Sequence, residues 1–413
     1  MNYKQLFPHL VGIYFDTRRN KRYGRDSMTY EMSWVSNLVR EWRARQEKTL
    51  RVRHNYAFLT SIPRWREIMA TEFTGRVMDH EICAVAIPQA EKVLSPYTFN
   101  NRTGKGAQAA INALIETIDR VSRMDTEPCR IIKLDLKGYF PNARWDVAER
   151  ELGKVLDLAG LDGDSTAYLK WLTMLAVNGN PAAHCERRTP AWMWGAHIDP
   201  DKSLFRKPAG VGAAIGRLIW QTAMGLYIND EIKWLTETAG IDAVCFVDDI
   251  VMVVPESRHQ YALAQIAVLR EKLALKGVRL NEKKFYDQPH GHGVEFLGSH
   301  IRPGRIHLND KTYAQAFKRV AQLNRIREKE SAVDAFLCSM NSYFGLLKQR
   351  TDYNRMLRLR DAIAQDWWQY IQWDDRRKCV TAREPYTWRT RTDKKYHLKL
   401  RYHHGKRRTR PAA

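Results

Sequence analysis

Paired cysteines are missing from this chain. Its six (Cys83, Cys129, Cys185, Cys245, Cys338 and Cys379) are scattered without a CxxC pair, so neither a disulfide framework nor a zinc ribbon is encoded. That usage fits a reducing compartment, and the expected location is cytoplasmic. Long apolar runs are absent too: no stretch approaches the roughly 18 residues of a membrane span. The opening MNYKQLFPHLVGIYFDTRRN lacks the apolar core of a signal peptide, so no membrane partner is expected. There is no internal repeat and no low-complexity linker. Acids are in short supply, 46 against 68 Lys and Arg, giving a net charge of +22. With 44% hydrophobic and 11% aromatic residues the chain can bury substantial cores, which excludes disorder as a whole-chain description. Its 413 residues suit two or three domain-sized units. The charge points to a polyanionic partner.

That charge is unevenly placed. Residues 376–413 carry 14 Lys and Arg and only two acids, Glu384 and Asp393, a net of +12. Tyr386, Trp388, Tyr396 and Tyr402 interleave with the cations, a composition suited to phosphate neutralisation and base stacking, or to a solvated, solubilising tail. A second basic and aromatic zone covers residues 17–54. Helices are predicted over 107–122, 144–158, 165–177, 212–233 and 260–275. Strand-like runs are Arg130–Leu136, a hairpin over Ala243–Val254, and two short strands within 294–308. Residues 178–209, with Pro181, Pro190 and Pro200, read as a long irregular connection, and 311–371 as mainly helical. Strands and helices alternate without a regular βαβ march, which predicts an α+β fold.

The chemistry is concentrated in acids that interrupt apolar strands. In AVCFVDDIVMVV, Asp248 and Asp249 break a β-branched run, and unpaired charge does not stay buried in such surroundings. They sit either at a plain polar hairpin tip or at a turn facing a cation, and no Gly or Asn is present to make an ordinary turn. In RIIKLDLKGYF, Asp135 ends a strand, as a helix cap or as a second acid converging on the first site. A carboxylate cluster is what a hard Mg²⁺ ion selects, and paired metals can drive in-line phosphoryl chemistry.

KLDLKGYF, RKPAGVGAAIGRLIWQTAMGLYIND, FVDD and FLGSHI occur in an order that resembles the successive palm motifs of bacterial reverse transcriptases. Upstream, YAFLTSIPRWREIMATEFTGRVMDH and NRTGKG are similar to fingers segments of the same enzymes, so the likeness runs over roughly residues 50–310. It implies a right-hand polymerase. Residues 1–129 would be fingers and the N-terminal basic region, 130–310 a palm with antiparallel sheet and an insertion at about 144–208, 311–375 a helical thumb, and 376–413 a basic extension. Asp135, Asp248 and Asp249 would be catalytic, with Leu136 beside them in the metal set, holding two Mg²⁺ ions with Mn²⁺ as substitute. Phe140, five residues after Asp135, would be a steric gate against a ribose 2′-hydroxyl, or ordinary core. Arg64 and Arg66 would grip the dNTP triphosphate, with Arg76 either beside them or paired to Glu67 or Glu72. Gly210, Gly212 and Gly216 permit close approach to nucleotide or template, and Gln221 follows Trp220 where family members usually carry Ser. That departure bears on template geometry, and core packing accounts for Trp220. Lys283 or Lys284, with Lys283 placed in the dNTP site, would stand near the leaving group. Phe296, Leu297 and Gly298 would form a primer grip. Arg102, Lys105, Arg389, Lys394, Lys395, Lys406, Arg407 and Arg408 would bind nucleic acid. His290 and His292 read as loop residues.

The resemblance implies an RNA-directed DNA polymerase making cDNA from dNTPs on a structured, noncoding RNA, with an accessory protein or homo-oligomer as a further partner. The subgroup it looks like is the unknown-group, defence-associated type used against phage. Diversity-generating retroelement and retron enzymes are the alternatives, as is a catalytically silent RNA-binding protein on the same scaffold.

Overall fold

The computed structural model describes residues 3–384 except 20, 22, 23, 53, 62, 63 and 351. It is a mixed α and β chain of helices and small, mostly antiparallel sheets. The chain divides into two compact units, one ending at Pro289 and one beginning at His290.

In the first unit, β1 (Asn55–Thr60) pairs antiparallel with β2 (Arg66–Thr71). The next two strands, β3 (Cys129–Asp135) and β4 (Cys185–Arg187), go to different sheets: β4 joins β1 in parallel, whereas β3 enters a four-stranded antiparallel sheet. The other members of that sheet are β5 (Asp242–Phe246), β6 (Asp249–Pro255) and β7 (Tyr286–Pro289), in the order β5-β6-β3-β7. Ile250 through Val254 are all buried, so β6 is a central strand covered on both faces and its unbroken apolar run is explained. One cover is the helix Ala107–Val121, whose Ala110, Ile111, Leu114 and Ile118 recur at helical spacing and are buried where it packs on β5 and β6.

Two expectations change here. The stretch read as irregular at 178–209 holds β4, a helix (Ala191–His197) and two single helical turns. Its prolines open helical turns instead of only breaking them, since Pro190 caps the helix and Pro200 starts a turn with φ already set. The helix expected over 212–233 begins only at Leu218 and is interrupted at Ile228. Gly212 and Gly216 have φ of +107° and +119°, which no right-handed helix accommodates.

The second unit gathers β8 (Val294–Phe296), β9 (Ser299–Arg302) and β10 (Arg305–Leu308) into a three-stranded meander, one strand more than expected. These strands group with the helices Asp310–Asn324, Val333–Lys348 and Tyr353–Asp361, so the unit boundary lies about twenty residues before the expected 310/311 division. Its core packs Phe336 on Trp367 at 4.2 Å between ring centres, with Met340, Phe344 and Leu359 around them. A hairpin of β11 (Ile371–Asp374) and β12 (Cys379–Ala382) closes it. Val380 and Ala382 are buried, so the basic extension expected from 376 starts inside folded structure, and its cations from Arg389 onward lie outside the described residues. No described helix is long and apolar enough to cross a membrane.

Candidate active site

The two acidic segments meet. β3 and β6 pair in register from Cys129↔Pro255 to Asp135↔Asp249, and the Leu136 amide donates to the Asp248 carbonyl at 2.9 Å. With that bond flanking it, Asp135↔Asp249 is a non-hydrogen-bonded antiparallel pair, whose Cα atoms stand about 4.5 Å apart with side chains on one face. Asp248 occupies the two-residue turn between Phe246 and Asp249. Acids 113 residues apart in sequence, Asp135 and Asp248, therefore converge with Asp249 on one edge of the sheet.

The turn is strained. Val247 has φ +59°, a left-handed value that a β-branched residue adopts only when its surroundings force it. Asn100 provides the restraint: its Oδ1 accepts the Val247 amide at 3.1 Å, while Tyr97 and Phe99 exchange backbone hydrogen bonds with Cys245. Sequence reading passed over Asn100, which stands just before the segment taken for a phosphate loop.

Electrostatics at the site follow from this crowding. Burial raises the Asp248 carboxyl above its ordinary value; the Asp249 charge adds to this, and Asp135 more weakly, while Arg64 opposes it. Asp135 is buried and accepts two bonds, from Lys284 Nζ at 2.6 Å and from Asn281 Nδ2 at 2.9 Å. Lys133 Nζ lies 3.2 Å from Asp249 Oδ1. Lysine 284, and not the exposed Lys283, is thus the one that reaches the acids. Neither Lys133 nor Asn281 stands out in sequence: Lys133 belongs to the acidic face only because β3 alternates sides with period two. The donor chemistry of three carboxylates suits a hard divalent cation. Among the described residues, no group of three or more His, Cys, Asp or Glu side chains is drawn together as a finished metal cage. The ammonium groups of Lys284 and Lys133 stand against the acids.

Two arginines at the start of β2, Arg66 in the strand and Arg64 in the bend before it, interact electrostatically with Asp248. Arg66 opens β2, and burial pulls its guanidinium below the ordinary value; the Arg64 charge adds to that, and Asp248 opposes it. Both guanidiniums therefore share the field of Asp248. Arg76 does not: its partners are Asp26 at 3.1 Å and the Tyr56 ring, not Glu67 or Glu72. Phe140 is half-buried, edge-on to Tyr139 at 5.9 Å, and its carbonyl accepts the Ala143 and Ala213 amides. Tyr139 is fixed in turn by its hydroxyl, which donates to the Met224 carbonyl at 2.7 Å.

The glycine segment approaches protein. A Cβ on Gly216 would meet Ile68 Cγ2 and the Met69 carbonyl at 3.0 Å, and one on Gly212 would meet Leu204 Cδ2 at 2.5 Å. With the Met69 amide donating to Ile215 O at 2.9 Å, this loop is held against β2. Close packing against Leu204 therefore requires glycine at 212. Gln221 is exposed and its carbonyl accepts from Asn101 Nδ2; Trp220 is fully buried in the core, as expected.

Arg102 and Lys105 also have other roles than binding nucleic acid. Arg102 bonds Glu91 Oε2 at 2.9 Å and the carbonyls of Ser95 and Thr98 at 2.7 and 3.0 Å. Lys105 bonds the Pro96 carbonyl and lies 4.7 Å from the Phe99 ring centre, and burial lowers its pKa. Together they brace the segment that carries Asn100. Arg102→Ala is expected to destabilise the fold by about 1.5–3 kcal/mol in urea titration, as for hydrogen bonds made by a charged group.

In the second unit, Phe296 is buried, and Leu297 and Gly298 form the β8–β9 turn with φ of +48° and +74°. His290 is buried and His292 exposed in the turn before it.

No known protein-family description matches this sequence, and no curated protein matches it. Among the solved structures that resemble it in part are two telomerases. An apo telomerase from Candida tropicalis, truncated from the C-terminal domain, is 11% identical with a TM-score of 0.43, covering 62% of this chain and 55% of its own. A telomerase from Candida albicans, in complex with the TWJ fragment of telomeric RNA, is 10% identical with a TM-score of 0.44, covering 77% and 60%. The chain spans little more than half the length of these two proteins. Likenesses this distant leave the functional reading to the side chains themselves.

Proposed function

We propose that the chain is an RNA-directed DNA polymerase with a right-hand arrangement of fingers, palm and thumb, acting by two-metal nucleotidyl transfer. The observation that carries this reading is the register Asp135↔Asp249 with Asp248 in the adjoining strained turn. Three acids held at one end of the central strand pair, with the Asp248 carboxyl raised by burial and then by the Asp249 charge, have the donor chemistry for divalent cations. Asp135, Asp248 and Asp249, with the Leu136 main chain beside them, would hold two Mg²⁺ ions, which neutralise phosphate charge and lower the barrier to attack by a primer hydroxyl. The chain's own residues do the positioning. Arg64 and Arg66 orient the triphosphate through their guanidinium forks. Phe140, fixed by Tyr139 and by its backbone bonds, stands where a rigid ring excludes a 2′-hydroxyl. Lys284, released from Asp135, supplies a cation to the departing pyrophosphate. The Phe296–Gly298 turn serves as primer grip, and the template is a structured RNA.

The test is incorporation of dNTP on poly(rA)/oligo(dT) with Mg²⁺, comparing the wild type with the Asp248→Ala, Asp249→Ala double variant. Persistence of full incorporation in the variant would refute the site. Use in phage defence on a neighbouring noncoding RNA is the finer form of the same proposal, and sequencing the RNA and DNA that co-purify with the protein distinguishes it from retron or retroelement use.

RNA retention by the basic extension is also expected. Because β12 is part of the second core, the informative truncation removes only residues 385–413. That deletes ten Lys and Arg and one Asp, Asp393. The log–log salt slope of RNA binding should fall by about 0.7–0.9 for each phosphate that the truncated chain no longer neutralises, and an unchanged slope would assign the extension to solubility.

A further inference from the structure

The segment between Arg188 and Gly212 is a built element that the polymerase reading leaves without a task. Its anchor is Glu67 on β2, a buried carboxylate with three donors. Trp194 Nε1 and Ser203 Oγ each reach Oε2 at 2.7 Å, and the Leu204 amide reaches Oε1 at 2.8 Å. A buried, fully bonded carboxylate fixes its neighbours firmly, because removing any donor would leave charge unpaired in the interior. Arg187 adds to the lock, its guanidinium 4.0 Å from the Phe205 ring centre and 5.4 Å from that of Trp194.

What the lock presents to solvent is aromatic. His197, at the end of the Ala191–His197 helix, lies flat on Trp65 with ring centres 4.0 Å apart and planes 6° from parallel. Both residues are exposed, Trp65 by 37%. Trp192 on the same helix is 70% exposed, the most open indole among the described residues. Trp192 lies five residues from His197 and so about 140° around the helix from it, on another side of the element. Arg64 and Arg66 flank Trp65 in sequence and are exposed, so cations neighbour the ring pair along the chain. Large indole faces left in water beside guanidinium groups, on a scaffold rigidified from beneath, fit a flat, apolar-faced and negatively charged guest.

We propose that the stacked Trp65–His197 pair is a stacking surface for unpaired bases of single-stranded RNA. The pair offers a preformed ring stack that a base extends without reorganising the protein. Sequence tolerance follows, since every base has a face to stack. The surface does not depend on nucleotide addition: a chain inactive as a polymerase would still bind through it.

Fluorescence anisotropy of a labelled single-stranded RNA of about twelve nucleotides, with the full chain at about 0.3 M salt to suppress phosphate binding, tests this directly. Trp65→Ala should weaken binding about tenfold, with a melting curve that overlays the wild type, whereas Trp192→Ala, on another side of the helix, should leave it unchanged. His197→Ala should weaken it as well, while His197→Phe, which keeps a ring on Trp65, should restore it. The salt slope should not change in any of these variants. Unaltered affinity in Trp65→Ala, or an equal loss in Trp192→Ala, would overturn the proposal and return the surface to docking of another protein. An equal loss on blunt duplex RNA would also overturn it, because a duplex has no unstacked base to offer.

Discussion

Asp248→Asn should reduce nucleotide incorporation by about 10³-fold or more and, at neutral pH, make the protein harder to melt. The loss follows from removing one carboxylate from the proposed metal-binding set, whose contribution would amount to several kcal/mol, at about 1.4 kcal/mol per tenfold. The gain follows from the direction of the pKa shift. Burial and the charges of Asp249 and Asp135 hold the Asp248 carboxyl above its unfolded value. A carboxyl raised in this way favours the fold while protonated, below the unfolded pKa, and that contribution is lost as pH rises through the folded value. At pH 7 the ionised Asp248 opposes folding, and a neutral amide of the same shape removes the opposition. The melting difference between variant and wild type should therefore be larger near neutrality than near pH 4. Asp135→Asn provides the contrast: it leaves one accepting oxygen where Lys284 and Asn281 each had their own, sets an NH2 against the other donor, and should lower stability along with activity. A variant at Asp248 that melted below wild type at pH 7 would show that the carboxyl is better solvated than its position implies.

Phe140→Ala should open the sugar side of the nucleotide site. Discrimination between dGTP and GTP, taken as the ratio of kcat/KM values, should fall roughly 10²-fold, the range available to a pocket that rejects by shape. Deoxynucleotide incorporation should change much less, because the backbone bonds from Ala143 and Ala213 to residue 140 do not involve its side chain. Retention of full discrimination would make Phe140 ordinary packing against Tyr139.

The parts of the site that were legible in sequence are those whose residue type conflicts with its surroundings. Asp135, Asp248 and Asp249 interrupt apolar strands, and only a turn, a cation or a shared site can resolve that conflict. Arg64 and Arg66 carry no such conflict, since arginines beside a strand are ordinary, and only the family resemblance singled them out. Partners that brace these residues were hidden, because their surroundings are fixed by distant parts of the chain. Asn100 matters through a single bond to Val247, made across 147 residues. Lys284 and Lys283 are neighbours of the same type, and only the turn after Asn281 decides which one reaches Asp135. The partners of Arg102 and Lys105 are hidden in the same way: Arg102 bonds Glu91 and the carbonyls of Ser95 and Thr98, and Lys105 the Pro96 carbonyl. In the fold, proline and glycine were read as breakers where Pro190 and Pro200 start helical turns, and as helix members where Gly212 and Gly216 forbid one.

A valine in left-handed backbone at the tip of the acidic hairpin has a consequence for how this protein tolerates change. Glycine at position 247 would relieve a conformational cost of about 1–3 kcal/mol. It would also release the hinge that fixes how far the following carboxylate stands from its neighbour across the ladder. Drift toward the sturdier residue would thus loosen the spacing between the carboxylates, so the hardier protein would hold its acids less firmly in place.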